Sequence, residues 1–391
     1  MLRGLTTKRT TRDLRIDFLR GLAMVCVIVD HSKRSSHLSL VSYERFWLVT
    51  AAEVFVVLSG VVLGMVYAPR LLRDGWLAVV RALARRALVL YLAFVAVTVS
   101  ILGISLLGVD VSAVTAWDPG AMSWFYDPRS MSAADWRDLL FIRYGPWAFE
   151  IVGLYVWLVL AAGPCLLLLR AIGWRWLLAI SWSLYLVYHL VPVQLTSAEF
   201  ETVFPILAWQ LLFVHGITIG YHRDDLSAVL ATRATPVMAT IGAVSITFMA
   251  IALSNPAIGG PSWLQWSVVS PERFAALYER YFALSDLGIG RLLNLAVALP
   301  FGYAVLSWGW AAFEKVQALF VTLGQCSLGA FVLHVYGLLL LDRLPFPEAI
   351  WINTVIQLAL IAGIAALLLA QQRWKAARRR AALAALVPVE A

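Results

Sequence analysis

Apolar residues along this chain fall in long continuous runs, not in the strict alternation of half-buried strands. Ten runs are long enough to cross a bilayer, with limits near 16–34, 46–68, 86–109, 147–170, 174–194, 204–222, 234–254, 290–311, 317–341 and 348–370. A hydrocarbon core of about 30 Å needs roughly 20 residues of helix. In lipid every backbone polar group must be paired within the chain, so only helices and closed barrels cross. Barrel strands would read as alternating segments of about ten residues, and the unbroken runs here favour helices. The pattern predicts an all-α fold, a polytopic transmembrane helical bundle of about ten spans. Two basic tails, 1–15 and 371–391, flank the transmembrane segment 16–370. The fifth and sixth runs are the weakest of the ten, being short and polar-flanked.

Composition agrees with that pattern. Hydrophobic residues make up 61% of the chain and charged residues 14%, with a mean hydropathy of +0.81. Soluble domains carry about 25% charged residues, so the lipid bilayer is the expected solvent. The net charge of +8 raises nucleic acid as a partner, but the basic residues cluster beside the apolar runs, as the positive-inside rule expects. With the N-terminus in the cytoplasm, the inner segments hold 20 basic residues, namely Arg3, Lys8, Arg9, Arg12, Arg15, the five from Arg70 to Arg86, Arg170, Arg175, Arg223, Arg233, Lys315 and the five from Arg373 to Arg380, against ten in the outer segments. The resulting two-to-one bias predicts both termini inside. No small-residue cleavage site follows the first run, so it is expected to be retained as a span. Cys26, Cys165 and Cys326 form no CxxC and read as small core residues.

Two long outer loops are expected, near 110–146 and 255–289. They carry Trp117, Asp118, Pro119, Trp124, Tyr126, Asp127 and Trp136 in the first, and Trp263, Trp266, Glu272 and Arg273 in the second. Tryptophan favours the headgroup zone and also makes a platform for stacking sugar rings; the sequence leaves both readings open.

Polar residues inside spans are costly and by default mark function. The first run, RDLRIDFLRGLAMVCVIVDHSKR, is the most informative. Arg20 and His31 are eleven residues apart, so on a helix they lie within about 20° of one face, separated by a rise of about 16 Å. Asp17 falls near the same stripe, whereas Asp30 points about 100° from His31. A guanidinium holds phosphate or carboxylate, and an imidazole serves as a general base. The bland alternative has Arg20 snorkelling to the headgroups and His31 capping the helix. In the second run, Glu53 needs a buried partner, with Arg20 or His31 the natural candidates; a structural ion pair is nearly as good a reading. Ser59 lies beside it, with Gly60 and Gly64 suited to close helix approach. Glu150, His189, Gln210, His215, Gln325, Ser327 and His334 follow in later runs. Each alone fits a satisfied core residue; together they predict a polar cavity inside the bundle. The histidines show no i, i+3 or i+4 ligand spacing, so no metal is expected. Phosphate-loop, HExxH and GxSxG motifs are absent from the sequence.

These residues carry a family likeness. The segment from Arg12 and Asp13 through Arg20 to His31 resembles the Arg-x10-His motif of the membrane acyltransferase-3 superfamily, and its detail is closest to the OpgC branch, implicated in succinylating periplasmic glucans. The second run is similar to that branch at Ala52, Glu53, Phe55, Val56, Leu58, Ser59 and Gly60. Later matches fall at Trp209 to Phe213 with Gly216, and at Leu323, Gly324, Ser327, Leu328 and Phe331. The matches run in order along nearly the whole chain; the stretch RYGPWAFEIVGLYV around Glu150 matches only loosely. The resemblance implies a ten-helix core in a bacterial cell membrane. It also implies a cytoplasmic acyl-CoA co-substrate with no permanently bound cofactor, and an acceptor hydroxyl on an extracytoplasmic glycan. It places His31 as the catalytic histidine and Arg20 on the donor side.

The expected function is therefore transfer of a succinyl- or acetyl-type group to an envelope glycan hydroxyl. His31, polarised by Glu53, is either the general base or a transient acyl carrier, and Arg20, Arg85 and Arg86 hold donor phosphates. Proton-coupled transport or flipping of an envelope precursor is the alternative, since buried Arg, Glu and His also suit proton coupling.

Overall fold

The computed structural model describes residues 12–42, 44–116, 128–258, 264–345 and 347–384. Trp117, Asp118, Pro119, Trp124, Tyr126, Asp127 and Trp263 of the two long loops lie outside them, as do Arg3, Lys8 and Arg9 of the basic tail. The described residues are helical, with no strand among them.

The helices are α1 (Leu14–His31), α2 (Ala51–Arg73), α3 (Gly75–Leu106), α4 (Ser112–Thr115), α5 (Ala133–Leu140), α6 (Glu150–Ala171) and α7 (Trp174–Leu190). They continue as α8 (Ile206–Tyr221), α9 (Arg223–Ala252), α10 (Pro271–Tyr281), α11 (Ile289–Trp308), α12 (Glu314–Gln325), α13 (Ser327–Arg343) and α14 (Ile350–Ala384). Six segments are long and apolar enough to cross a membrane: Ala51–Arg73, Gly75–Leu106, Trp147–Ala171, Thr235–Ala252, Ile289–Trp308 and Ile350–Ala382. The expected ninth span, 317–341, is instead two helices, α12 and α13, broken at Cys326 with a bend of 92°. Counted as one broken crossing, the pair raises the number to 7. α1, α7 and α8 fall short of the criterion: α1 carries Arg15, Asp17, Arg20 and Asp30, and α7 and α8 have 17 and 16 residues. The basic segment after 370 continues α14 through Ala384.

Local chemistry sets the helix boundaries. Asp13 caps α1 by accepting from the Arg15 amide, satisfying one of the orphan donors of the first turn. Glu53, third residue of α2, reaches back to accept from the Thr50 amide at 2.9 Å and from the Thr50 hydroxyl, as in a capping box. Gly75, at a φ of +79°, turns the chain from α2 into α3.

Two close helix contacts build the core. α2 and α8 meet through paired small residues, Gly60 and Gly64 facing Gly216 and Gly220. A Cβ at Gly60 would run into the Phe213 carbonyl, and one at Gly216 into that of Val57. Such small-xxx-small seams let backbones approach without an apolar driving force between helices. α1 and α12 make the second: a Cβ at Gly21 would strike the Phe320 carbonyl, and one at Gly324 the Asp17 carbonyl. This contact brings the α12–α13 break against the first half of α1.

The two ends of the described chain share one end of the bundle, since Arg12 and Asp13 before α1 and Gln371 and Lys375 of α14 line the same cavity. From that terminal end α1 runs to the far end, where His31 lies, and α2 returns.

Candidate functional site

A cavity of about 700 Å³ opens at the terminal end. Arg12, Arg20, Arg86, Arg223 and Lys375 line it, against Asp13 and Asp17. Arg12 is committed to Asp17, with two contacts at 2.5 and 2.9 Å, and Gln325 donates to the same carboxylate at 3.3 Å. Burial favours the neutral form of Asp13, but its bonds to Arg15 and Tyr303 outweigh that and hold its carboxyl below the usual range. Arg20, 9% exposed, donates from Nη2 to the Ser327 hydroxyl at 2.6 Å, while its Nε has no partner among the described residues. Arg223 Nη1 is likewise buried and unpaired among them. Guanidinium donors left unsatisfied in a basic recess fit an anionic group with several acceptor oxygens.

Further along α1 the second polar contact with α13 is made by histidines. His31 Nδ1 lies 3.2 Å from His334 Nε2. His334 is fully buried, and its Nδ1 sits 2.6 Å from the Phe331 carbonyl oxygen. A carbonyl only accepts, so Nδ1 of His334 carries the proton and its Nε2, in the neutral ring, is an acceptor. His31 must then donate from Nδ1, which leaves its own Nε2 as a free lone pair. The carbonyl–His334–His31 chain selects the neutral tautomer whose lone pair is on Nε2 of His31. The Trp147 ring packs on His31 with centroids 4.7 Å apart. Lys33, turned back by a φ of 52°, places Nζ 4.8 Å from the centre of that tryptophan ring.

Arg20 and His31 thus do share one face of α1, and that face meets α13 at both levels, Ser327 and His334. The sequence matches the OpgC protein family over residues 12–376. The chain belongs to the OpgC family. No curated protein and no solved structure matches it. Membership makes this OpgC-family chain a membrane acyltransferase-like enzyme at the general level.

Several residues singled out from sequence lie elsewhere in this OpgC-family chain. Glu53 does not reach His31. Fully buried, it faces Arg291, whose Nε contacts it at 2.5 Å while Nη2 contacts Glu44 and Nη1 donates to the Phe282 carbonyl. Arg85 is exposed and does not line the cavity, whereas its neighbour Arg86 does. Asp30 accepts from Ser42 at 2.5 Å and faces a second cavity at the far end. His189 is exposed, against the Tyr185 and Tyr188 rings, and does not line the interior. Gln210 ties α8 to α7 through the Ser181 hydroxyl and carbonyl. His215 bonds its own helix at the Leu211 carbonyl. Glu150 is buried in the first turn of α6, beside Glu199. Ser59 is buried on α2 near Tyr155, which also approaches Arg20 and Arg86. Asp17, Arg20, Gln325 and Ser327 come together at the terminal cavity, and His31 and His334 come together above it.

Sequence reasoning missed Arg12, Arg223 and Lys375 as cavity-lining groups and Arg291 as the partner of Glu53. Arg291 was readable as a lone cation opening an apolar run, which in lipid demands a carboxylate. The other three looked like ordinary basic residues beside spans.

Proposed function

We propose that this protein is an integral membrane O-acyltransferase with the terminal end of its bundle in the cytoplasm. It would take an acyl group from acyl-CoA there and pass it to a hydroxyl of an extracytoplasmic glycan. The observation that carries this reading is the pairing along α1: a basic recess where Arg20 Nε and Arg223 Nη1 have no partner among the described residues, and a tautomer-locked histidine about 16 Å from Arg20 along the same face. The pantetheine arm of an acyl-CoA is of that length. Phosphates held by Arg20, Arg86 and Arg223 would set the thioester near His31. The ten crossings expected from the sequence would be completed by α1, α7 and α8 within the bundle.

In this mechanism Nε2 of His31 takes the proton of the acceptor hydroxyl as its oxygen bonds to the thioester carbonyl carbon. The tetrahedral intermediate collapses, the carbon–sulfur bond breaks, and the proton passes from Nε2 to the departing CoA sulfur. Products are the glycan ester and free CoA. As positive charge develops on His31, the bond from its Nδ1 to His334 strengthens, much as a fixed acceptor supports the histidine of a triad.

The test is His31→Ala in lipid nanodiscs, assayed for CoA release and for acyl mass on a glycan acceptor. Both should vanish while CoA binding persists; transfer at the wild-type rate would refute the mechanism. A second reading, secondary transport, draws on the α12–α13 break, since broken helices build transporter sites. It predicts solute flux in proteoliposomes with no consumption of thioester.

A further inference from the structure

The far end of the bundle holds a second cavity, of about 800 Å³, within the range of small-molecule sites. Its composition is unlike that of the terminal recess. Asp30, Glu44 and Glu279 contribute carboxylates, and Ser35, Ser36, Ser39 and Ser42 contribute hydroxyls; Asn255, Phe274 and Tyr278 complete it. Among the described residues no Lys, Arg or His lines it.

The wall is built and held from behind. Glu44 is 4% exposed and bound by Arg291 and by the Tyr278 hydroxyl at 3.0 Å. Arg291 is shared with Glu53, so one guanidinium serves two carboxylates. Asp30 is oriented by the Ser42 hydroxyl. Asn255 is 8% exposed and lines the cavity; its Oδ1 accepts from the Ala257 amide, and no described residue accepts from its Nδ2. Phe274 and Tyr278 stack with centroids 6.0 Å apart at 25°.

A ligand for this surface must both donate, to carboxylates, and accept, from an amide N–H. It must also carry an apolar face for the aromatic pair, and it must not be anionic. Hydroxyl groups donate and accept, and a neutral sugar ring supplies the C–H face. A phosphate or carboxylate would meet like charge in a partly desolvated recess, a cost of the kind used to reject wrong partners.

We propose that this cavity is a subsite for a neutral hexose unit of the acceptor glycan, adjoining the unit presented to His31, and that its carboxylates exclude units already bearing an anionic substituent. It rests on the acyltransferase reading for the sugar's role as acceptor. Asp30 and His31 are consecutive at the end of α1, so the wall of this cavity stands one residue from the His31 backbone. An enzyme reading its acceptor this way would not modify units next to ones that already carry a carboxylate.

The test uses the full chain in nanodiscs and two probes of one linkage, cellotetraose and its uronic-acid counterpart, with binding followed by saturation-transfer NMR and CoA binding measured on the same sample. Cellotetraose should bind at least tenfold more tightly than the uronate. Glu279→Gln, at an exposed position, should narrow that gap. Asn255→Asp keeps the acceptor for the Ala257 amide and removes the donor, and should weaken cellotetraose at least tenfold with CoA binding intact. Equal binding of the two sugars, or cellotetraose binding indifferent to Asn255→Asp, overturns the subsite. Should Asn255→Asp lose CoA binding as well, Glu279→Gln alone decides. Wild type that binds the neutral sugar but not CoA refutes the acyltransferase reading and leaves the subsite standing.

Discussion

Replacing His334 by leucine isolates the proposed tautomer lock. Leucine fills a similar volume at a fully buried position, so packing on Phe331 is largely kept, but His31 Nδ1–H loses the acceptor now 3.2 Å away. A buried donor left unpaired costs about 1–3 kcal/mol. That cost falls mainly on the transition state, because the bond matters most when His31 is taking on a proton. At about 1.4 kcal/mol per tenfold, kcat should fall roughly 10- to 100-fold. In the proposed function the donor is held elsewhere, at Arg20 and its neighbours, so KM for acyl-CoA should change little; a loss confined to kcat is what removal of a transition-state interaction looks like.

The companion variant is His334→Gln. Its side-chain oxygen can accept from Nδ1, so it should restore part of the rate that leucine loses. The assay is steady-state CoA release by nanodisc-embedded enzyme at saturating acceptor, with thermal stability as a folding control. Three results would refute the reasoning: an unchanged kcat in His334→Leu, equal losses in both variants with stability intact, or a loss expressed wholly through KM.

Three further outcomes follow from the same structure. Arg20→Met should weaken CoA binding about 10- to 100-fold by equilibrium titration, the value of a charge-assisted hydrogen bond or two, whereas Arg85→Met should leave it unchanged. Arg291→Met should lower stability in detergent by about 3–5 kcal/mol, because it strands Glu44 and Glu53 together in the interior, and denaturation midpoints will show it. Glu199, in the loop before α8, has its carboxyl pushed up to about 7 by burial, with an oxygen that finds no hydrogen bond among the described residues. Glu150 is the ionisable neighbour of this carboxyl, while the Glu199 backbone amide donates to the Arg143 carbonyl. Folded protein then binds more protons there than unfolded protein between the ordinary carboxylate pKa and about 7, so stability should fall as pH rises through that window. Glu199→Gln should flatten the thermal midpoint against pH.

What the sequence revealed of the site was what a single helix carries. The eleven-residue interval between Arg20 and His31 fixes their common face by helical geometry alone, and the structure puts both against α13. The partner of His31 was not readable, because His334 lies 303 residues away and pairing across that distance is set by packing. For Glu53 the sequence leaves open Arg20, His31 or a structural ion pair, and the ion pair is what forms, with Arg291. Thr50-Ala51-Ala52-Glu53 carries the capping-box pattern, which places that carboxylate in the first turn of α2. Arg85 and Arg86 were indistinguishable in sequence, yet adjacent helical residues point about 100° apart and only one of them faces the cavity. The number of crossings was blurred where a helix breaks: the run from 317 to 341 is long enough for one straight span, and Gly324, Gln325 and Ser327 within it do not by themselves specify the 92° bend at Cys326.

The failure of α1 to look like a span is itself informative. It carries four charged residues, two of them well buried, and a charge at the centre of a lipid-facing helix costs about 2.5–3.5 kcal/mol even on the lenient insertion scale. α1 avoids much of that cost by packing among α2, α11, α12, α13 and α14, so its polar face meets Ser327, Gln325 and His334 in place of acyl chains. Gly75–Leu106, with a mean hydropathy of 2.6, and Ile350–Ala382, with 2.2, each have only 33% of their most apolar stretch buried, which leaves them a face for lipid. α1 instead packs among other helices, and its polar groups at two depths run from the basic recess at one end to His31 near the other. Hydropathy therefore ranks α1 low for the same physical reason that the site is built on it.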